Sequence, residues 1–220
     1  MIKIDSDGYK AACIFLVLAF LSYVSYNFTG LKTSLWVFWI FIVVSIFIMN
    51  FFRDPERKVP QDKKAVLSAA DGVIIDVSTV EAEGFVEGRA LRIAVFMNIF
   101  NVHVNRSPVS GKVLKTVHRP GKKLSAFNKR AEYENEHGDT DIETFFGIVR
   151  IRQIAGLLAR RVITRVKSGD VLERGDRIGI IRLGSRVDVY LPLTYIPVVT
   201  QGDHVRAGES AIARPENKEN

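Results

Sequence analysis

Two long apolar runs without a charged residue lie close to the start of the chain. The first extends from Ala11 to Leu31 and the second from Thr33 to Phe52, with Lys32 between them. Each run has about 20 residues, and at about 1.5 Å of rise per residue a helix of that length matches the ~30 Å hydrocarbon core of a bilayer. The two runs therefore predict two transmembrane helices.

A cleaved signal peptide is the alternative interpretation of the first run. The run is long for a signal peptide, lacks a small-residue cleavage site and is followed at once by a second apolar run, which favours a membrane anchor. The short connection predicts a hairpin with both ends on one side of the membrane. Basic residues are concentrated at those ends, so the positive-inside rule predicts that the ends face the cytoplasm at the inner cell membrane. These residues are Lys3, Lys10, Arg53, Arg57 and Lys58.

The composition of the chain changes where the second run ends. The stretch FRDPERKVPQ (52–61) is charged and contains prolines. It predicts a boundary near Lys58 between a membrane anchor, residues 1–58, and a second domain, residues 59–220. In that domain short apolar runs alternate with turn residues, which predicts a mainly β fold, with one brief helix from Gln153 to Arg161.

Two segments of the second domain resemble each other. SGDVLERGDRIG (168–179) and QGDHVRAGESAI (201–212) share a Gly-Asp pair followed by a second glycine six residues later. Two matched turn-strand units predict a pseudo-symmetric β-sandwich or barrel, and biotinyl and lipoyl carrier domains have this appearance. The hairpin lysine that such carriers modify has no counterpart here, so the repeat is interpreted as architecture. A membrane-anchored carrier or adaptor stays open as a function of a different class.

The charge balance of the chain limits its partners. The net charge of +7 suits an anionic membrane surface. Nucleic acid is not expected as a partner, because no zinc-finger, RNP or helix-turn-helix pattern is present. The single cysteine, Cys13, lies in the first apolar run, so neither a disulfide framework nor a cysteine metal site is expected.

The stretch RLGSRVDVYLP (182–192) has the alternating pattern of a strand but contains Gly184-Ser185. A glycine within a strand marks a bulge or a close approach to the backbone. Ser185 is a candidate nucleophile, with His103 as its base and Asp71 as the residue that orients the imidazole. Each also has an ordinary structural interpretation, as a polar residue at a bulge, a packed histidine and an Asp-Gly turn. Because no G-x-S-x-G elbow is present, the familiar serine hydrolases are not a match.

Four motifs, taken in order, resemble those of phosphatidylserine decarboxylase proenzymes of the short bacterial and archaeal type. They are Ala70-Asp71-Gly72, FNVHVNRSPVSGKV (100–113), IAGLLARR (154–161) and LGSRVDVYLP (183–192). The resemblance covers the chain from about residue 53 to residue 212. It implies a membrane-bound lyase of phospholipid biosynthesis that decarboxylates phosphatidylserine to phosphatidylethanolamine. A decarboxylase of a related amino-acid-headed lipid is the alternative within the same family.

The resemblance also implies that this zymogen cuts itself between Gly184 and Ser185. The Ser185 hydroxyl attacks the Gly184 carbonyl to give an ester, and elimination then leaves a dehydroalanine, which hydrolyses with loss of ammonia to an N-terminal pyruvoyl group. The products are a larger subunit, residues 1–184, and a smaller one, residues 185–220. In this scheme His103 is the base and Asp71 holds its imidazole. The pyruvoyl group forms a Schiff base with the substrate amine and acts as the electron sink, so no metal or diffusible cofactor is expected.

The residues that contact the substrate are less sharply defined by the motifs. Longer members of the family carry a second histidine three residues before the motif histidine, where this chain has Phe100. Either His103 serves both steps, or His118 supplies the proton for decarboxylation. The stretch PGKKLSAFNK (120–129) resembles the family's segment near the substrate, so Phe127 and Asn128 are expected to line the pocket with Phe100 and His118. The sequence leaves a homo-oligomer open.

Overall fold

The computed structural model describes residues 2–122, 124–125, 130–156, 161–182 and 185–216. They form two compact units, Met1–Glu56 and Arg57–Asn220. The predictions made for Phe127, Asn128, Gly184 and residues 157–160 concern positions outside the described residues.

The first unit contains two apolar helices, as predicted. Helix α1 extends over Ser6–Thr29 and helix α2 over Lys32–Phe51. Asp5 caps the start of α1 by accepting a hydrogen bond from the Asp7 backbone N–H, and Gly30 ends the helix in the left-handed conformation, with φ 66°. Both helices are long and apolar enough to cross a membrane.

The two helices pack side by side as a hairpin. The rings of Phe15 and Phe41 lie 5.9 Å apart between centroids. Beyond the helices, strands β1 (Ile2–Ile4) and β2 (Arg53–Pro55) pair in antiparallel fashion. This pairing holds the start of α1 and the end of α2 next to each other. Both ends of the helical hairpin therefore lie on the same side.

The second unit is mainly β, as predicted, and contains one short helix, α3 (Ala131–Glu134). Its largest sheet is a curled, eight-stranded half-barrel with the order β11-β7-β8-β9-β13-β5-β4-β15, and two three-stranded sheets have the orders β10-β12-β6 and β14-β16-β3. The strands are β3 (Val66–Leu67), β4 (Gly72–Glu81), β5 (Arg89–Met97), β6 (Val104–Arg106), β7 (Gly111–Arg119), β8 (His137–Thr144), β9 (Gly147–Ala155), β10 (Val162–Thr164), β11 (Val171–Leu172), β12 (Arg177–Ile181), β13 (Ser185–Leu191), β14 (Tyr195–Pro197), β15 (His204–Val205) and β16 (Ala211–Pro215).

The two faces of the eight-stranded sheet differ in chemistry. On β13, Val187 and Val189 belong to the hydrophobic core, whereas Arg186 and Asp188 are buried on the opposite face. The core also contains residues of both three-stranded sheets. We call the core side of the large sheet its inner face and the other side its outer face.

The stretch from 180 to 191 is not one strand, contrary to the alternating pattern. Strand β12 ends at Ile181 in a three-stranded sheet, and β13 begins at Ser185 in the eight-stranded sheet. The alternation continues through both parts because Ile181 of β12 and Val187 and Val189 of β13 all belong to the core, so the pattern does not reveal the change of sheet. Ser185 therefore lies where the chain passes from one sheet to another, rather than in the middle of a strand.

The predicted helix from Gln153 to Arg161 is wrong at its start. Gln153 lies within β9 and pairs with Val187 of β13. Ile151, Gln153 and Ala155 alternate with residues of the outer face, which is the period of a strand. The polar side chain of Gln153 obscured that period.

The two similar segments have equivalent local structures. Gly169 donates its backbone N–H to the carbonyl of Val113 at 2.8 Å, and Gly202 donates to Ile74 at 2.9 Å. Their φ angles of 95° and 99° lie in the region that favours glycine. The strands that follow, β11 and β15, form the two opposite edges of the eight-stranded sheet.

Candidate active site

Ser185 begins β13 and lies on the inner face of the eight-stranded sheet. Met97 of β5 and Ala155 of β9 are directly opposite it on either side, and all three are fully buried. Among the residues that the structure describes, Ser185 Oγ has no hydrogen-bond partner. An unmade hydrogen bond of a buried polar group costs about 1–3 kcal/mol. Such a group calls for a specific explanation, and a reactive role is one of the few available.

His103 lies directly before β6 and is fully buried. Its Nδ1 is 2.9 Å from the carbonyl oxygen of Asn101. Because a carbonyl oxygen can only accept a hydrogen bond, Nδ1 carries the proton and Nε2 is the basic nitrogen of the neutral ring. The carbonyl of His103 accepts a hydrogen bond from Ile181 N–H at 3.4 Å. Ile181 is the last residue of β12, so a backbone hydrogen bond joins His103 to the residue four positions before Ser185.

The Asp71 carboxylate is held by a buried arginine. Arg57 Nη2 donates to both oxygens, at 2.9 and 2.8 Å, and the Ala207 backbone N–H donates to Oδ1 at 2.8 Å. Arg57 also forms an ion pair with Glu209 at 3.4 Å. Sequence reasoning interpreted Arg57 as a basic residue at the membrane surface, either for topology or for attraction of an anionic lipid, and missed this contact. The role of Asp71 toward His103 stays a prediction.

Asp71 lies at the same end of the sheet as Ser185, and only strand β5 separates their strands. Phe96, next to Met97 on β5, pairs with Val73 of β4. A Cβ at Gly72 would clash with the Phe96 carbonyl oxygen, so the glycine of the Asp-Gly motif is required by this close approach. With adjacent strands ~4.8 Å apart, β4 and β13 lie about 10 Å apart.

A chain of buried polar side chains extends from the site into the domain. Asn105 Nδ2 donates to Met97 Sδ at 3.6 Å, Gln153 Nε2 donates to Asn105 Oδ1 at 2.8 Å, and Thr164 Oγ1 donates to Gln153 Oε1 at 2.9 Å. Asn105 lies within the second motif, and sequence analysis assigned no role to it or to Gln153. A polar residue at an inner-face position of β9 was the pattern that would have revealed Gln153.

Two further predicted residues have exposed side chains. Phe100 is 65% exposed in the loop after β5. The His118 side chain is 52% exposed on β7, with Nε2 3.6 Å from Glu136 Oε1 and beside a cavity of about 500 Å³. Strands β8 and β9 lie between β7 and β13, so His118 is three strands away from Ser185. In the described part of the chain no group of three or more His, Cys, Asp or Glu side chains is arranged to hold a metal ion.

The outer face behind Ser185 carries a buried network of charges, which we call the outer-face network. Arg186 donates to both oxygens of Asp188 at 2.6 Å. The Tyr190 hydroxyl donates to Glu132 at 2.5 Å. Arg92 forms ion pairs with Glu132 and, at 2.9 Å, with Asp76. The network therefore consists of Asp76, Arg92, Glu132, Arg186, Asp188 and Tyr190.

Stability is expected to depend on pH through Asp188. Burial raises the pKa of this carboxyl to about 6, in spite of the opposing attraction of Arg186. The native state therefore holds the proton more tightly than the unfolded chain does, and this contribution to stability is lost as the pH rises from about 4 to about 6. A shift of this size corresponds to about 3 kcal/mol of unfolding free energy at most.

The Asp188→Asn variant isolates this effect, since asparagine does not titrate. We expect the unfolding free energy of the wild type, minus that of the variant, to fall by about 1–3 kcal/mol between pH 4 and pH 7. Thermal unfolding in detergent at a series of pH values measures both proteins. A difference that stays constant with pH would show that Asp188 does not titrate in this range.

Comparisons with known proteins show the family of this chain. A family model described as phosphatidylserine decarboxylase matches residues 44–213, a range that contains Asp71, His103 and Ser185. Three relatives named phosphatidylserine decarboxylase proenzyme are similar to this chain. The one from Desulfotalea psychrophila is 45% identical over 176 residues, which cover 80% of this chain and 82% of the relative. The one from Paraburkholderia xenovorans is 44% identical over 211 residues, 96% of each chain. The one from Ralstonia pickettii is 46% identical over 179 residues, 81% of each chain. The chain belongs to the phosphatidylserine decarboxylase family.

Proposed function

We propose that this protein is a membrane-bound, self-processing enzyme that decarboxylates phosphatidylserine to phosphatidylethanolamine. The observation that carries the proposal is Ser185, a buried hydroxyl without a described partner at the first position of β13, in a chain of a family whose members are named as proenzymes. Neither a decarboxylase of a related lipid nor a carrier or adaptor is favoured by these comparisons.

Self-cleavage uses the hydroxyl of Ser185 as the nucleophile. Its oxygen attacks the Gly184 carbonyl carbon, Nε2 of His103 accepts the hydroxyl proton, and the peptide bond is replaced by an ester. Elimination removes the α-proton of residue 185 and releases the Gly184 carboxylate, which leaves a dehydroalanine. Water then replaces the nitrogen of that residue, ammonia leaves, and the small subunit begins with a pyruvoyl group.

Three residues support His103 in this role. The Asn101 carbonyl fixes the tautomer, so Nε2 is free of its own proton when the base is needed. Asp71 is proposed to stabilise the imidazolium that forms through its negative charge, because the Nδ1 proton of His103 is already donated to the Asn101 carbonyl. Arg57 holds Asp71 by two hydrogen bonds and keeps the carboxylate oriented.

The surroundings of residue 185 suit a pyruvoyl group. Such a group supplies an electron sink for the loss of carbon dioxide from an amino acid. Met97 and Ala155 flank the position with apolar side chains and keep water away from it. His103 is proposed to hold the proton that the product needs, with Phe100, Phe127 and Asn128 as candidate contacts of the substrate.

The proposed lipid substrate gives a physical reason for the membrane anchor. A lipid with two acyl chains stays in the bilayer, so an enzyme acting on its head group gains from a firm attachment to the membrane. We propose that α1 and α2 cross the inner membrane and that the catalytic unit lies on the cytoplasmic side, because basic residues are concentrated at the ends of the hairpin.

We also propose that the two similar segments belong to a pseudo-repeat like that of biotinyl and lipoyl domains. The equivalent hydrogen bonds of Gly169 and Gly202 support it, as do the positions of β11 and β15 at opposite edges of one sheet. The repeat serves as the scaffold that brings the Asp71 turn and the start of β13 to one end of the sheet.

The proposal is tested by the intact mass of the protein purified in detergent, together with carbon dioxide release from phosphatidylserine. We expect two fragments that divide between Gly184 and Ser185, the smaller about 17 Da lighter than its unmodified sequence because ammonia is lost overall, and resistant to Edman degradation. A single chain of 24.7 kDa with activity would contradict self-cleavage. Two fragments that act only on a different amino-acid-headed lipid would contradict the substrate.

A further inference from the structure

We propose that Glu132 is a positioning residue for decarboxylation, because it holds the new N-terminal end of the small subunit after self-cleavage. The inference rests on the proposed function, since this chain end exists only in the cleaved protein. It concerns the outer-face network, to which neither the four motifs nor the cleavage scheme assigns a role.

Glu132 joins three elements of the catalytic unit. It lies on α3, and its side chain is only 3% exposed. One carboxylate oxygen accepts the hydroxyl hydrogen of Tyr190 at 2.5 Å, and the other lies 3.7 Å from Arg186 Nη2. Arg92 of β5 forms an ion pair with the same carboxylate. A single buried charge therefore ties β13 at two positions to its neighbour β5 and to α3.

Cleavage changes what holds residue 185 in place. In the precursor, Ser185 is joined covalently to β12 through residues 182–184. In the cleaved protein it is the end of a chain, which is held by its pairing with β5 and β9 and by the side chains next to it, since chain ends fray unless they are tied down. Arg186 is the next residue, and its side chain is held by Asp188 and Glu132. Because residues 185 and 186 share a peptide plane, fixing Arg186 also fixes the reactive end.

The energetics of buried charges favour a positioning role over a purely stabilising one. A buried ion-pair network contributes little net stability compared with well-packed apolar residues, because its charges lose their hydration. Reactivity, in contrast, is sensitive to small displacements, and a misplacement of about 1 Å costs about 100-fold in rate. Loss of the Glu132 charge is therefore expected to affect the rate of decarboxylation more than self-cleavage.

The Glu132→Gln variant keeps the shape of the side chain and an acceptor for the Tyr190 hydroxyl, but removes the charge that attracts Arg92 and Arg186. We expect complete self-cleavage by intact mass, a kcat for decarboxylation reduced about 10-fold or more, and a KM within about twofold of the wild type. Because a loss of folded protein would also lower the apparent kcat at constant KM, kcat is calculated per folded and cleaved enzyme, counted by its pyruvoyl ends.

Asp141→Asn provides the matched control. Asp141 is buried on the same face and accepts two hydrogen bonds from Arg150, at 2.6 and 2.9 Å. This ion pair joins β8 to β9 and not to β13. The variant loses a buried charge of the same kind, so it is expected to lose a similar amount of thermal stability while it keeps the wild-type kcat.

The possible results distinguish failure of this inference from failure of the proposed function. Equal kcat values for Glu132→Gln and Asp141→Asn would overturn the positioning role and leave the proposed function intact. Failure of Glu132→Gln to cleave itself would show that Glu132 acts before cleavage, which also overturns the inference. An uncleaved wild type would overturn both. If Glu132→Gln does not fold, Tyr190→Phe removes one hydrogen bond to Glu132, and its kcat must be lower than that of the wild type for the inference to hold.

Discussion

Replacement of Ser185 with alanine is expected to leave the protein as a single chain of 24.7 kDa without decarboxylase activity. Alanine has no hydroxyl to attack the Gly184 carbonyl, so neither the ester nor the pyruvoyl group forms. The change is not expected to harm folding, because residue 185 lies between the apolar Met97 and Ala155 and its hydroxyl makes no described hydrogen bond. Removal of a buried, unsatisfied hydroxyl is expected to stabilise the precursor by about 1 kcal/mol.

Intact mass, carbon dioxide release and thermal unfolding measure these three effects on the same preparation. Ser185→Cys is the matched control, since a thiol is a nucleophile of similar size and is expected to restore cleavage at a different rate. A cleaved Ser185→Ala chain would show that another group attacks the 184–185 bond. A Ser185→Ala chain that fails to fold would show that the hydroxyl has a structural role.

The fold was predictable where local patterns decide it. The uncharged runs 11–31 and 33–52 indicated the two helices, because a long apolar segment has few other stable forms. Alternation of apolar and polar residues indicated the strands. The change of sheet between Ile181 and Ser185 was not predictable, because alternation reports which side of a strand is buried and not which strand it pairs with.

The site was predictable through its motifs, and its supporting contacts were not. Arg57 and Asp71 are 14 residues apart, and Glu132 and Tyr190 are 58 apart, so only the folded topology brings each pair together. The alternating Arg186 and Asp188 also resemble the solvent side of a strand, although both are buried. Ion pairs between residues that are far apart in the sequence offset the free-energy cost of burying these charges. No local sequence pattern predicts such pairs.

Replacement of His103 with glutamine is expected to slow self-cleavage by about 10²–10⁴-fold, which is the usual contribution of a general base. Glutamine can still donate a hydrogen bond to the Asn101 carbonyl, so the local structure is largely kept. It has no basic nitrogen to accept the Ser185 proton, so the precursor accumulates. Synthesis of the protein in a cell-free system with lipid nanodiscs, followed by sampling of the intact mass over time, measures the rate.

Two other histidines make the test specific. His204 lies on β15 at one edge of the eight-stranded sheet, and its side chain is exposed, so His204→Gln is expected to cleave at the wild-type rate.

His118→Gln separates the two roles that the motifs leave open. If His118 supplies the proton for decarboxylation, this variant cleaves normally and loses kcat. The two strands that separate β7 from β13 favour the other outcome, in which both rates are kept and His103 serves both steps. A wild-type rate of self-cleavage in His103→Gln would show that His103 is not the base for Ser185, and a different base would be required.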